Sequence, residues 1–242
     1  MLAKVSPPLI WRPNGRPLER TTLAGRDVRL EPLDPARHGD RLYAASHGPG
    51  PDGAPADGSL WDYLGYGPFA DRSAMRAWLE TVAASRDPLF FAIIDAAADR
   101  AAGMASYLRH DPPNGVVEIG HIWFAPALQR TRAASEAIFL LQAHAFETLG
   151  VRRLEWKCDA RNAPSRRAAL RYGFVHEGVF RQHMIVKGRN RDTAWYALLD
   201  SEWPAFKEIF ARWLDPANFT AEGRQKTALS ALTEAWRREL SA

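Results

Sequence analysis

The stretch LQRTRAASEA, residues 128–137, joins two patterns that together decide the fold. Before it runs the apolar segment Val116-Val117-Glu118-Ile119-Gly120-His121-Ile122-Trp123-Phe124, which reads as a strand. After it Ala134, Ile138, Leu141, Ala145 and Leu149 step by three or four residues, as on one face of a helix. A strand, a turn and a helix in that order expose the helix's first free N–H groups at one spot. With the positive end of the helix dipole these groups make an anion site. Ala133, Ala134 and Ser135 are small enough to let an anion approach the backbone, and Arg130 and Arg132 are candidate grips for its oxygens. An ordinary helix start with two solvated arginines has the same sequence, and the peptide alone does not choose. No GxxxxGK[ST] loop occurs in the chain, and this strand-to-helix junction carries no GxGxxG fingerprint.

Working toward the N-terminus, LFFAIID (89–95) and AAGMASYL (101–108) read as two strands, preceded by a helix capped by Asp71 or Ser73 and running to about residue 85. Residues 47–70 form a Gly/Pro-rich loop carrying Trp61, Tyr63, Tyr66 and Phe69, a length that in a compact domain points to function or disorder. RDVRLEPL (26–33) alternates as a strand, and Asp34 with Pro35 opens a helix to about residue 46. Toward the C-terminus, Gly150 ends the long helix. Leu154, Trp156 and Cys158 then alternate with Glu155 and Lys157, a strand with one buried face. Asn162 caps a short helix stopped by Gly173, and FRQHMIV (180–186) and DTAWYALL (192–199) form a hairpin across KGRNR. Two amphipathic helices close the chain, one with Phe206, Ile209, Phe210 and Trp213 on a face, the other with Leu229, Leu232, Trp236 and Leu240. The result is a mixed α/β chain with an extension at 1–25, a domain at 26–200 and helices at 201–242.

Composition bounds the function classes. The 242 residues are 46% hydrophobic and 25% charged, ordinary for a soluble globular protein, and no apolar run is long enough for a membrane span or a secretion signal. Cys158 is the single cysteine, so no internal disulfide forms and a cytoplasmic setting is expected. Basic residues exceed acidic ones by 32 to 28, and only five of the 32 are lysine, but no run of five like charges suggests a nucleic-acid tail. Seven histidines without HxxxH spacing give no reason to expect a metal site.

Three ordered segments carry a resemblance. Gln129-Arg130-Thr131-Arg132-Ala133-Ala134 is similar to the pyrophosphate loop [QR]xxGx[GA] of the GNAT superfamily of acyl-CoA-dependent N-acyltransferases, with Arg132 where the family has glycine. NAPSRRAALRYGF (162–174) resembles the Asn-x-x-Ser…Gly-Phe segment of the RimJ/RimL-like branch, and 177–204 resembles that branch's terminal hairpin. The resemblance implies the GNAT fold: a central mixed, mostly antiparallel twisted sheet flanked by helices, α/β (α+β) in class, here with a C-terminal helical extension. It implies acetyl-CoA as co-substrate, held by Trp123, Phe124, Gln129, Arg130, Thr131, Arg132, Ala133, Ala134, Asn162 and Ser165. It also implies an amine acceptor, no metal, and neither nucleic acid nor membrane as partner.

The family's reaction is direct attack of an amine on the thioester, both held together, which can supply several kcal/mol of the barrier. Glu118, just before Gly120, is the candidate base, acting through a water; a cross-strand ion pair is its other reading. His121, three residues on, would face the opposite side of a regular strand. The family's common acid, a tyrosine seven residues beyond the asparagine, is replaced by Ala169, and Tyr172 reads as packing. Ser165 would then donate to the leaving thiolate, or simply cap its helix, and Asn162 would bind the pantetheine or acetyl carbonyl as well as capping. Arg166 and Arg167 read as solvated, contact with the cofactor phosphates being their other reading, and Cys158 as a core residue.

The acceptor is not written in these motifs. Neutralising a lysine at pH 7 costs roughly 4 to 5 kcal/mol, against roughly 1 kcal/mol for an α-amine. One weak base therefore suits a protein or peptide N-terminus, while small amines, antibiotics and a non-catalytic acyl-CoA-binding module stay open. The aromatic loop at 47–70 is the candidate acceptor groove, packing under a long loop being its other reading. The tail helices either pack on the domain or join two copies as a homodimer.

Overall fold

The computed structural model describes residues 11, 16–50, 53, 56 and 58–240. Its centre is a single sheet of eight strands: β1 (Leu23–Ala24), β2 (Val28–Pro32), β3 (Leu89–Asp95), β4 (Arg100–Asp111), β5 (Val116–Phe124), β6 (Arg153–Asp159), β7 (Val175–Val186) and β8 (Arg189–Leu199). They lie in the order β1-β2-β3-β4-β5-β6-β8-β7, and every neighbouring pair is antiparallel except β5 and β6. This is the mixed, mostly antiparallel sheet that the resemblance implied.

Six helices flank it: α1 (Pro35–His47), α2 (Arg72–Ala83), α3 (Arg132–Ala143), α4 (Ala163–Arg171), α5 (Trp203–Leu214) and α6 (Leu229–Leu240). The predicted caps form. Asp34 accepts from Ala36 and Arg37 N–H, Asp71 from Ala74, and Asn162 from Ser165, each satisfying donors the helix cannot satisfy itself. The last turn after α3 widens, with Leu149 N–H bonded to His144 O at 3.0 Å, before Gly150 reverses the chain at φ 64°. Lys187 and Gly188, at φ 49° and 72°, make the tight reversal between β7 and β8.

Two cores sit on opposite faces of the sheet. The larger joins Leu30, Phe91, Tyr107, Ile119, Trp156 and Tyr196 to Ile138 and Leu141 of α3. The smaller joins Phe90, Met104 and Trp123 to Leu42 of α1, Leu79 of α2 and Trp61. Phe206, Phe210 and Trp213 of α5 and Leu229 and Trp236 of α6 belong to the larger core, leaving those faces covered within the chain rather than open to a second copy. No helix among the described residues is long and apolar enough to cross a membrane.

Candidate active site

The parallel pair is short. β5 and β6 are paired only at Val116–Arg153, Val117–Leu154 and Glu118–Glu155, although β5 continues to Phe124 and β6 to Asp159. Beyond Glu118 the strands diverge, and the sheet has an open seam. Because both strands run the same way and each leads into a helix, the N-termini of α3 and α4 stand at the same end of that seam. A seam with unpaired strand edges and two helix N-termini at its mouth suits a long ligand with an extended polar arm and phosphates. The acyl-CoA implied by the sequence fits those residues.

The turn before α3 is built for this. Thr131 caps the helix, its Oγ1 accepting from Ala134 N–H at 3.1 Å and donating to Leu128 O at 2.7 Å. Gln129 donates to Phe124 O at 3.0 Å, folding the turn back on the end of β5. Arg130 is exposed and holds φ 62°, a left-handed conformation that a bulky residue adopts only at a cost. Arg132 is not a free grip. Its guanidinium meets Asp27 in a fork, Nε to Oδ2 and Nη2 to Oδ1, both at 2.6 Å, and its Cζ lies 4.8 Å from the centre of the Phe219 ring. Sequence reasoning missed Arg171 of α4, which donates to Ser135 Oγ at 2.9 Å and stacks over Trp213, placing a second cation beside the start of α3. Trp123 and Phe124 send their side chains into the two opposite cores while pairing with Met104 and Gly103 of β4, so their other main-chain edge faces the seam.

At α4, Ser165 Oγ accepts from Trp156 Nε1 at 3.0 Å, so its hydroxyl proton is directed elsewhere than the indole. It lies beside the buried Cys158 thiol, whose ionisation burial makes harder and the Ser165 contact makes easier. Ala169 is 0% exposed, so no tyrosine fits there, and Tyr172 packs on Trp156 and Phe210. Arg166 is exposed, as a solvated residue would be, and donates to the Tyr196 hydroxyl and to Ala160 O, both at 3.2 Å.

The second face of the sheet departs most from the sequence reading. β6 is buried on both sides: Lys157 bonds Glu155 at 2.6 Å and Glu118 at 3.0 Å, with its amine 3.9 Å from the centre of the Trp195 ring. Glu118 also accepts from Arg109 at 2.5 Å. Both cations hold Oε2, and Oε1 turns toward Gly120, 3.6 Å from where a Cβ at that position would stand. The ion-pair reading of Glu118 is thus realised, with both cations on one of its two oxygens.

His121 corrects a second expectation. Between the Ser106–Gly120 and Met104–Trp123 pairs one residue of β4 faces two of β5, a bulge with His121 at φ 52°. The extra residue turns His121 to the same face as Glu118, stacked on Tyr66 and tilted against Phe90. Burial first, then Arg109 and Arg191, pushes its pKa down to about 4, so it is neutral at pH 7.

The aromatic loop covers this face. Trp61, Tyr66, Phe69 and Trp78 pack on one another and on Trp123. Two bonds carry the loop across the seam: Tyr63 Oη donates to Arg161 O at 3.3 Å, and Lys187 Nζ donates to Trp61 O at 2.8 Å. Packing and roofing are therefore both true of it. Among the described residues no cluster of three metal-ligating side chains occurs.

Known proteins match this arrangement. The family described as "Acetyltransferase (GNAT) domain" matches residues 54–175. A crystal structure of a GCN5-related N-acetyltransferase from Brucella melitensis superposes with a TM-score of 0.87 at 48% identity, over 93% of this chain and 99% of that one. A curated ribosomal-protein-serine acetyltransferase from Escherichia coli (strain K12) is 32% identical over 43% of this chain, and an N-acetyltransferase p20 of Bacillus licheniformis is 28% identical over 61%. The matches span 58% of the Escherichia coli protein and 84% of the Bacillus licheniformis one.

Proposed function

The chain belongs to the GNAT acetyltransferase family, and on that premise we propose that it moves an acetyl group from acetyl-CoA to a primary amine, the N-terminus of a protein or peptide. The observation that carries this is the seam between β5 and β6 with two helix N-termini at its mouth. In the proposed arrangement, the free edge of β5 at Trp123 and Phe124 holds the cofactor's extended arm. The turn Gln129–Ala134 takes its pyrophosphate, with the N–H groups of the first turn and Arg130 as donors. Acetyl-CoA supplies an activated acyl carbon, and the protein supplies alignment.

The acceptor reaches that carbon from the Glu118 face. Glu118 Oε1 takes the amine proton through a water, while Lys157 and Arg109 keep the carboxylate fixed. Ser165, its oxygen already occupied by Trp156, donates to the departing sulfur, and Asn162 orients the carbonyl while capping α4. A single base tied to two cations favours an amine that is cheap to neutralise, an N-terminus over a lysine. The Escherichia coli relative's name, a ribosomal-protein-serine acetyltransferase, supports the same class. A buried lone thiol accords with a reducing, cytoplasmic setting.

Release of free CoA thiol from acetyl-CoA tests this. Peptides with free and blocked N-termini, lysine peptides, polyamines and aminoglycosides form the panel. Turnover is expected only with free N-termini. Turnover confined to small amines would move the acceptor class, and silence with acetyl-CoA still bound would reduce the protein to a binding module.

A further inference from the structure

Five buried polar atoms without a hydrogen-bond partner among the described residues gather on the sheet face that holds Glu118: Trp61 Nε1, Tyr66 Oη, Trp123 Nε1, Arg191 Nε and Trp195 Nε1. All five carry a hydrogen to donate, and four of them can only donate. A set of buried donors is costly unless a group rich in acceptors meets it. Arg191 adds a full charge. It stands on β8 two residues from Thr193, which pairs with Asp159 at the far end of β6, and four from Trp195, which covers Lys157. Alternation places Arg191, Thr193 and Trp195 on one face. Its field reaches His121 across the seam, where with Arg109 it disfavours a proton on that ring.

The neighbouring charges are already matched. Glu118 is held by Arg109 and Lys157, Glu155 by Lys157 and Arg153, and Asp159 by Arg161. The Arg191 charge helps to hold the Asp159 carboxyl low, but Asp159 has its direct ion pair with Arg161, so an incoming anion would not have to displace a direct Arg191 pair with any of these carboxylates.

We propose that the acceptor carries a carboxylate close to its reacting amine, as in a peptide with an acidic residue next to its N-terminal one, and that Arg191 is the specificity-determining residue that receives it. This rests on the acetyltransferase reading above and deepens it. A guanidinium pairs with a planar carboxylate in a fork, and desolvation under the aromatic loop strengthens that pair over one in open water. The same positive surroundings disfavour the ammonium form of the acceptor, which assists the loss of its proton.

The test compares peptides that differ only at the second residue, Asp or Glu against Asn or Gln, and Lys, using acetyl-CoA and the wild-type, R191Q and R191E proteins. In the wild type kcat/KM for the acidic peptides exceeds that for their amide counterparts by about tenfold or more, chiefly through KM, and the gap shrinks with added salt. In R191Q the ratio falls toward one, and in R191E it inverts in favour of Lys. Melting temperature and acetyl-CoA affinity, measured on each variant, confirm a folded protein. Equal turnover of acidic and amide peptides by the wild type overturns the proposal while leaving the acetyltransferase standing. A ratio that survives in folded R191Q also overturns it. Absence of turnover on every peptide, with acetyl-CoA bound, takes down the N-terminal acceptor reading and this one with it.

Discussion

Arg132 and Asp27 face each other in a two-bond fork, 2.6 Å on each arm, between the first residue of α3 and the turn joining β1 to β2. The same turn presents the N–H groups of Arg26 and Asp27 to Glu136 of α3, at 2.9 and 2.7 Å. The arginine that stands in place of the family's glycine is thus part of a brace that fixes where α3 begins. Both partners are about a quarter exposed, which limits the fork to roughly 1 kcal/mol. R132G should lower the melting temperature by about 2–4 °C. The Kd for acetyl-CoA should stay within about threefold, since the fork and not the phosphate holds the side chain. R130A should weaken that Kd by about fivefold at low salt, with the loss fading as salt rises. Calorimetry on both variants separates brace from grip, and a large affinity loss in R132G would show that Arg132 leaves Asp27 for the ligand.

Glu118 should matter twice. E118Q keeps the shape but removes the proposed base, and kcat should fall by about a hundredfold with the KM for acetyl-CoA little changed. E118A also strips Lys157 of one of its two carboxylates, and that ammonium is only 5% exposed. Urea denaturation should show a cost of about 3 kcal/mol for E118A and clearly less for E118Q. Equal kcat in E118Q and wild type would assign the proton to another acceptor.

Ser165 and Ala169 make a paired test of the leaving-group acid. S165A removes the donor and leaves the Trp156 indole unpartnered, so kcat should drop about tenfold and stability by about 1–2 kcal/mol. S165T, which keeps the hydroxyl, should recover most of the rate. A169Y puts the family's common tyrosine where no space exists, and should destabilise by about 1–3 kcal/mol without raising kcat.

His121 sets an acid limit on stability. Its folded pKa of about 4 lies below the unfolded value near 6.5, so the unfolded chain binds the extra proton between those pH values. Stability therefore rises with pH across the window from 4 to 6.5 and is lost as pH falls through it, by at most about 3 kcal/mol from this residue. H121N keeps a residue that tolerates the left-handed backbone and removes the titration. Denaturation curves at pH 4.5 and 7 should differ less in H121N than in the wild type.

Local signals were legible because their physics is local. Asp34, Asp71 and Asn162 sit where caps must, and Lys187-Gly188 turns because glycine takes the left-handed region freely. The glycine beside Glu118 marked a place where the strand could bulge, but which face His121 would take depends on counting residues across to β4. Glu155 and Lys157 read as a solvated face because a strand's own sequence does not say what lies opposite. Only the pairing of Glu118 with Glu155 brings Lys157 between two carboxylates. Arg132 read as a ligand grip because Asp27 is 105 residues away in the chain. The tail helices showed their apolar faces plainly, and only packing could say that α3 and α4 would cover them.

The bonds from Tyr63 to Arg161 and from Lys187 to Trp61 give the seam an upper rim, while the three paired residues of β5 and β6 close it below. Two hydrogen bonds therefore stand over the place where the strands part. On the proposed function an acceptor would thread beneath them like the tip of a thread through a hoop. A chain end would enter there as the backbone it already is, whereas a side chain on a folded surface would have to bring that surface with it.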